Sequence, residues 1–452
     1  MSRIVDQSPD PKSHIKTLMR IGYTLDSAVS DVIDNSIAAD ARNIEVYSPP
    51  GLDEPMISIL DDGCGMDLEE LIQNMRIGCK DPGEDRQKGD LGRFGSGMKT
   101  ASFSQALRLT VITRKQGHPL VAARWDIDKI QETNSWCLEV FDADEIDKID
   151  GVTTNFPVNH GTQVIWSKLT CIDKGSHAQD HDSELAAKLS ELKAYIALHF
   201  HRFMVGNDKR IFRLNKSVIE PVDPFLIGSA GYQEGPSEKL RCKGGHIAIQ
   251  THVLPHFNKM NKTLLERLGG AEGVAQKQGI YIYREKRLIN SGGWLGMARN
   301  SQLSALARVQ VDIPSSLDND WSTDVKKASL QIPSRVKVGL KKFLSDPVKR
   351  SKRVHKYRGT LDAANGFWKI CEDENTKVIT YQIEPENTIL TSLVEICSGE
   401  ERRILVNYLK LLTENLPINH IYEKMSERPK DVNQGEVDMV LLEALFGKVF
   451  EN

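Results

Sequence analysis

Residues 59–66 read ILDDGCGM. An apolar run arrives at two acids, and the acids run straight into Gly63 and Gly65. The pattern is that of a strand delivering a carboxylate into a tight turn. A carboxylate fixed at a strand end can accept a hydrogen bond from the amino group of an adenine ring, and glycines beside it let backbone approach the ring. Taken alone, the stretch is equally open to a turn without a ligand or to a metal loop. It is not an EF-hand, because no D-x-[DN]-x-[DN]-G-x5-E run follows.

Two neighbouring stretches narrow the reading. Upstream, DVIDNSIAADA (31–41) lies in a helical pattern that runs over residues 15–40 and is broken at Gly22. Asp31 and Asn35 are four apart and share a face. The Asn35 amide oxygen suits a hard divalent ion, and the Asp31 carboxylate can orient or deprotonate water. A solvated helix face explains either residue by itself. Downstream, DLGRFGSGMKTAS (90–102) has the look of a phosphate loop without the G-x-x-x-x-G-K-[ST] pattern, and a polar loop rather than a strand precedes it. The remaining reading is a movable loop hinged at Gly89, Gly92, Gly95 and Gly97. It closes onto a helix N-terminus, where backbone N–H groups can wrap phosphates. A glycine turn with no ligand is the alternative.

With HGTQVIWSKL (160–169), these pieces fall in an order that resembles the ATP-binding domain of the GHKL superfamily (gyrase B, Hsp90, MutL, MORC proteins and histidine kinases). The likeness covers about residues 15–170. GRFGSGMKTAS and GTQVIW are most similar to the MORC, MutL and Hsp90 branch, nearest to prokaryotic MORC- or Hsp90-like proteins. No phosphoacceptor helix with an H-E pair precedes the domain, so a histidine kinase is not expected. The resemblance implies ATP and Mg²⁺ as ligands. It makes Asn35 the magnesium ligand and sets Asp31 in the place of the water-activating glutamate, one methylene shorter, which implies slow hydrolysis. Asp62 becomes the adenine reader, with Gly63, Gly65 and Met66 beside it. Gly92, Arg93, Phe94, Gly95, Ser96, Gly97 and Met98 become the ATP lid and its phosphate-binding end, Lys99 joins the nucleotide-binding residues, and Thr162 lies near the adenine side.

Coarse periodicity sets the architecture: α+β throughout. A Bergerat-type ATP-binding α/β sandwich is expected over 1–175 and an S5-like α+β domain over 176–345. A small mixed or helical region of unknown role follows over 346–452. Strand candidates include RNIEVYS, MISILDD, LRLTVITRK, LVAARWDI and TQVIWSKL in the first part. IFRLN, GGHIAIQTHVL, GIYIYREKRLI and ARVQVDI belong to the second. In relatives of the S5-like domain a lysine reaches the γ-phosphate, and WSTDVKKASLQIP makes Lys326 or Lys327 the candidate. Adjacent strand side chains point opposite ways, so one of the two faces away. YREKRLINSGGW reads as a hairpin whose Arg284 and Arg287 serve a partner or a surface ion pair.

The 452 residues carry a net charge of -3, so no global positive field points to nucleic acid. A basic run from Lys349 to Arg358 is a candidate phosphate-backbone grip or a solvated helix end. Seven scattered cysteines without a CxxC pair, and an N-terminus without an apolar segment, lead to the expectation of a reduced cytoplasmic protein without a membrane partner. By resemblance the chain is an ATP-driven clamp. Its closure drives a homodimer, with residues 1–20 crossing to the partner, on DNA in genome defence or repair. An Hsp90-like chaperone, or a nucleotide-switched scaffold for an operon-encoded partner, is the alternative.

Overall fold

A computed structural model describes residues 9–52, 54–78, 97–152, 159–172, 178–242, 245–260, 262–301, 304–317, 322–323, 330–355, 368–372, 379–418 and 420–421. The chain forms two compact units, Met1–Ser351 and Lys352–Asn452.

The first unit opens with two helices. α1 (Pro11–Met19) is capped by Asp10, and Gly22, at φ +75°, turns the chain into α2 (Leu25–Ala38). Thr24 and Ser27 form a capping box that starts α2. β1 (Asn43–Tyr47) and β2 (Ile57–Asp61) pair antiparallel. α3 (Leu68–Met75) begins at Asp67, whose carboxylate accepts from Glu70 N at 3.0 Å while Glu70 accepts from Asp67 N. α4 (Gly97–Gln105) runs into β3 (Ala106–Arg114), followed by β4 (Val121–Asp126), α5 (Ile127–Thr133), β5 (Glu139–Phe141), α6 (Ala143–Ile146) and β6 (Gly161–Leu169). α7 (Ala178–His199) then carries the chain back to β7 (Ile211–Leu214) and β8 (Ser217–Val218).

These eight strands form one sheet, ordered β5-β4-β3-β6-β2-β1-β7-β8. Its described pairings are antiparallel except β1 with β7, which is parallel because α7 supplies the crossover. Sequence reading assigns IFRLN to the second domain. The structure instead places it in the first sheet, and the helix-side core runs on through Leu192, Phe212 and Ile219, past the division expected at 175. Periodicity identifies a strand but carries no information about its neighbour.

Apolar residues of α1, α2, α4 and α7 pack on one face of this sheet with Ile57, Ile59, Leu109, Val111, Val164 and Trp166. Two indole N–H groups pin helices to it. Trp125 Nε1 donates to Met75 O at 2.9 Å, and Trp166 Nε1 donates to Ser102 Oγ at 2.8 Å. α1 packs on its own chain: Ile15 is fully buried, Lys12 N donates to Asn134 Oδ1 at 3.1 Å, and His14 meets Trp136 edge to face. Of the segment expected to cross to a partner, residues 1–8 lie outside the described residues.

A second sheet, ordered β12-β11-β13-β10-β9, is built from β9 (Gln233–Cys242), β10 (Gly245–Val253), β11 (Gly279–Arg284), β12 (Arg287–Ser291) and β13 (Ala307–Ile313). α8 (Lys262–Arg267) and α9 (Gly270–Gln276) lie between β10 and β11. One face packs on α10 (Ser334–His355) through Val336, Leu340 and Leu344. The other presents Tyr281, Tyr283 and Leu288 to Phe225 and to Leu198 of α7. Two short strands, β14 (Ser322–Thr323) and β15 (Leu330–Gln331), flank residues 324–329, so Lys326 and Lys327 lie outside the described residues. The basic run begins in α10, where Arg350 pairs with Asp346 at 2.9 Å and donates to Glu234 O. Lys356, Tyr357 and Arg358 lie outside the described residues. No helix among the described residues is long and apolar enough to cross a membrane.

The second unit contains a hairpin, β16 (Trp368–Glu372) with β17 (Ile379–Ile383), and helices α11 (Thr388–Ile396) and α12 (Gly399–Glu414). Asn387 caps α11, and Ser398 with Glu401 caps α12.

The turn after β2 depends on Gly65. Its φ is +66°, and an added Cβ would stand 1.8 Å from Arg114 O, a backbone atom that cannot step aside. Gly51 has φ +74° but nothing within 4 Å of an added Cβ. Gly51→Ala therefore costs about 1 kcal/mol, the backbone term alone, whereas Gly65→Ala costs roughly 3 kcal/mol or more. Urea denaturation of both variants checks this, and equal midpoints would contradict it.

Candidate functional site

α2 carries the polar residues of the site along its length. Asp31 is buried to 8% exposure, whereas Asn35, one turn on, is exposed. Tyr23 Oη donates to Asp31 Oδ2 at 3.1 Å. The first residue of α4 lies against the same carboxylate: a Cβ on Gly97 would sit 3.3 Å from Asp31 Oδ2. The positive end of the α4 dipole thus faces an acid. Sequence spacing places Asp31 with Asn35, and the structure adds Gly97 to them.

Ser36 links this group to the sheet. Its Oγ donates to Asp61 Oδ2 at 2.7 Å, and Gly63 N donates to Asp61 Oδ1 at 2.9 Å. Burial pushes the Asp61 carboxyl up to about 6, against the lowering effect of those two bonds and of a third from the Thr162 backbone N–H. Asp61 is the last residue of β2 and stays in phase with Ile57 and Ile59, which face the helices. On the neighbouring strands, in phase with Val164 and Val111, stand Thr162 and Thr113. Their hydroxyls are 3.0 Å apart, and Thr113 Oγ1 also accepts from Met66 N at 3.0 Å. Three adjacent strands, β2, β6 and β3, thus end in an acid and two hydroxyls on the helix side of the sheet.

Asp62, the residue expected to read adenine, does not share that position. It is one step out of phase. Its Oδ1 accepts from Arg42 N at 2.7 Å and Asn43 N at 2.8 Å, and its Oδ2 accepts from Asn43 Nδ2 at 2.7 Å. These bonds fix the entry of the chain into β1. The two-residue period of ISILD already separates the two acids and puts Asp61 on the helix side of the sheet.

Gly63 and Gly65 serve backbone packing. A Cβ on Gly63 would lie 2.7 Å from Ala39 Cβ, and Gly65 abuts the end of β3. Met66 and Met98 are partly buried against the helix-side core. Lys99 points away from the expected phosphate side: it is 3% exposed, and its Nζ donates to Asn74 O at 2.6 Å in the last turn of α3. There a cation offsets the negative end of a helix. Gly92, Arg93, Phe94, Gly95 and Ser96, expected to form a lid, lie outside the described residues.

Another connection runs below the site. Arg287, at the start of β12, is buried, and its Nη1 pairs with Oδ2 of Asp34 on α2, where the side chains are 7% and 2% exposed. The guanidinium lies 4.9 Å over the Phe200 ring. Burial lowers the Arg287 pKa to about 10, with Asp31 among the charges that hold it up. Arg287, expected to serve a partner or a surface ion pair, instead forms a buried pair.

Comparison with known proteins agrees with this geometry. Residues 23–162 match the family of histidine kinase-, DNA gyrase B- and HSP90-like ATPases. The match starts at the tyrosine that binds Asp31 and ends at the threonine beside Asp61. Over 91 residues the chain is 30% identical to ATPase morc-1 of Caenorhabditis elegans, a stretch that is 20% of this chain and 10% of that protein. Over 92 residues it is 30% identical to ATPase MORC2B of Mus musculus and 28% identical to ATPase MORC2 of Homo sapiens, 20% of this chain and 9% of each relative. The matched stretch spans about a tenth of the length of these curated relatives. Between Tyr23 and Thr162, then, the chain matches the GHKL type of ATPase domain, and MORC ATPases are among the proteins it is similar to.

Proposed function

We propose that the chain binds and hydrolyses ATP. The observation that carries this reading is the row of polar groups held by one helix: Asp31 and Asn35 at one end, and Asp61 with Thr162 and Thr113 at the other, joined through Ser36. Asp61 is the acceptor for the adenine amino group. Its carboxylate is held by Ser36 and Gly63 and stands beside two hydroxyls that can complete a hydrogen-bonded ring edge. The phosphates lie toward the N-terminus of α4, where the backbone N–H groups of Gly97 and Met98 start the helix. Lys326 or Lys327, on the segment between β14 and β15, is the cation for the γ-phosphate. Gly92 to Ser96 form the lid.

Asn35 is the residue for Mg²⁺. Its amide is an exposed, hard oxygen donor one turn from a buried carboxylate. An ion that takes one protein oxygen and fills its other positions with phosphate oxygens and water fits that donor set. When bound, Mg²⁺ neutralises charge on the phosphates. Asp31 orients the attacking water and takes its proton as the oxygen–phosphorus bond forms and the bond to the leaving diphosphate breaks. Tyr23 fixes one oxygen of Asp31 and so aims the carboxylate. With aspartate at this position the reach to an in-line water is short and turnover is slow.

On the resemblance to clamp-forming relatives, ATP closes the lid and joins two copies. Residues 9–20 pack on their own chain, so the exchanged segment is residues 1–8 or a surface elsewhere. DNA bound by the clamp, through cations such as those of Lys349 to Arg358, is the proposed cargo.

Four outcomes test these assignments. Asp61→Asn should abolish ATP binding while stabilising the protein at neutral pH. The sign follows from the raised pKa: the folded carboxyl keeps its proton longer than the unfolded one, so its stabilising contribution is full below pH 4 and is lost as pH rises through about 6. Removing a buried charge is worth roughly 1–3 kcal/mol at pH 8. Thermal melts and calorimetric titration with ATP measure both effects, and retained nanomolar-to-micromolar affinity would reassign the adenine contact. Wild-type affinity should weaken below pH 6 as Asp61 is protonated, with proton release on binding near that pH, seen by calorimetry in buffers of different ionisation enthalpy. Asp31→Asn should leave ATP affinity within about threefold and lower kcat by about a hundredfold or more. Unchanged turnover would remove Asp31 as the base. Light scattering with a non-hydrolysable analogue should show a dimer, and a monomer under both conditions would sink the clamp.

A further inference from the structure

The buried pair between Arg287 and Asp34 joins the two sheets of the first unit. Asp34 lies on α2 directly before Asn35 and three residues after Asp31, within one helical turn of both. It is thus on the element that carries the nucleotide-facing groups, yet the reaction proposed above does not use it. Arg287 comes from the second sheet, and its position is tightly set. β11 and β12 are joined by Glu285 and Lys286, both left-handed at φ 46° and 72°, the type I′ turn that matches strand twist. Glu285 Oε1 accepts from Ser315 N at 2.9 Å, which ties the turn to the segment after β13. Leu288, the next residue, is buried with Tyr281 and Tyr283 against Phe225. The hairpin is therefore a stiff arm with a cation at its tip, and the tip is inserted under the helix that holds Asp31 and Asn35.

A buried charge pair cannot slip by a fraction of an ångström and re-form with water, because neither partner has solvent to turn to. The second sheet and α2 must move together or part company altogether, which is the two-state behaviour a coupling element requires. We infer that Arg287 is a positioning residue: through Asp34 it sets the Asp31–Asn35 face of α2, and it is the contact by which the second sheet and the nucleotide site report on each other. This inference rests on the ATPase reading above. It assigns to the hairpin a role separate from that of the lysine proposed for the γ-phosphate, since Arg287 acts from beneath the helix and touches no reacting atom.

The test is the neutral pair Asp34→Asn with Arg287→Met, made together so that no unpaired charge is left buried. Melting temperature, binding of a non-hydrolysable ATP analogue, kcat and KM, and hydrogen exchange of the β11–β12 hairpin with and without the analogue are measured on the full chain. In the wild type, the analogue should slow exchange in the hairpin. In the double variant the fold and KM should hold, analogue affinity should stay within about threefold, kcat should fall about tenfold or more, and the hairpin should no longer respond to nucleotide. Wild-type kcat together with a wild-type hairpin response in the double variant overturns the inference, leaving the pair a packing feature only. If the double variant does not fold, Arg287→Lys carries the test, because it keeps the charge without the planar fork. An intermediate kcat at unchanged KM supports the inference and a wild-type profile overturns it. A wild-type protein that neither binds nor hydrolyses ATP is a different failure: it removes the ATPase reading itself, and the coupling role with it.

Discussion

The hydrogen bond from Ser36 to Asp61 holds the rest of the site in register. α2 has to do two things that oppose each other. Its residues Ala28, Val29, Val32 and Ile33 bury the helix in the core, yet Asp31, Asp34, Asn35 and Ser36 place polar groups on the same fourteen-residue segment. A helix buried this deeply tolerates such groups only if each has a partner. Ser36 finds Asp61, Asp34 finds Arg287, and Asp31 finds Tyr23 and the start of α4. Every partner comes from a different element, so satisfying the helix fixes the sheet end, the second sheet and the N-terminal turn at once.

Asp61 shows the cost of that arrangement. A carboxyl held near 6 by burial is one whose charge the fold disfavours, despite three donors aimed at it, from Ser36, Gly63 and the Thr162 backbone. A further donor would relieve the penalty, and an amino group on a planar ring is one that can arrive and leave. The site is thus incompletely compensated without a ligand, as expected where binding energy is to be drawn from a polar contact in a dry place.

Much of this was legible from the sequence. The helical break at Gly22, the cap at Asp67, the strand-to-glycine turn at ILDDGCGM and the pairing of Asp31 with Asn35 are all local, and local signals survive folding. Choosing between Asp61 and Asp62 was also a local question. The period of the strand bears on it, since Ile57, Ile59 and Asp61 share a face and Asp62 lies one step out of phase. Lys99, β7 and Arg287 differ in kind. The amine of Lys99 is claimed by a carbonyl 25 residues back in the chain, the partner of β7 by a crossover helix, and the guanidinium of Arg287 by an acid 253 residues away. Spacing holds no record of such encounters, and a lysine beside a glycine-rich loop looks the same whether it faces phosphate or a helix end.

The Arg287–Asp34 pair bears on why two sheets and an intervening helix share one compact unit. Burying two charges gains little net stability, and a well-packed apolar pair would often serve as well, yet breaking such a pair on one side costs about 3–5 kcal/mol. Against a total stability of about 5–15 kcal/mol, that cost is large enough to forbid partial separation. An apolar contact would let the second sheet slide over α7 and α2 by small steps, each slightly costly. An ion pair removes the small steps. The second sheet is either docked under α2, with Asp31 and Asn35 held in one orientation, or undocked with both charges reaching water. If nucleotide chemistry is to be converted into a movement between bodies, the interface needs this all-or-none character, and the buried pair supplies it by charge.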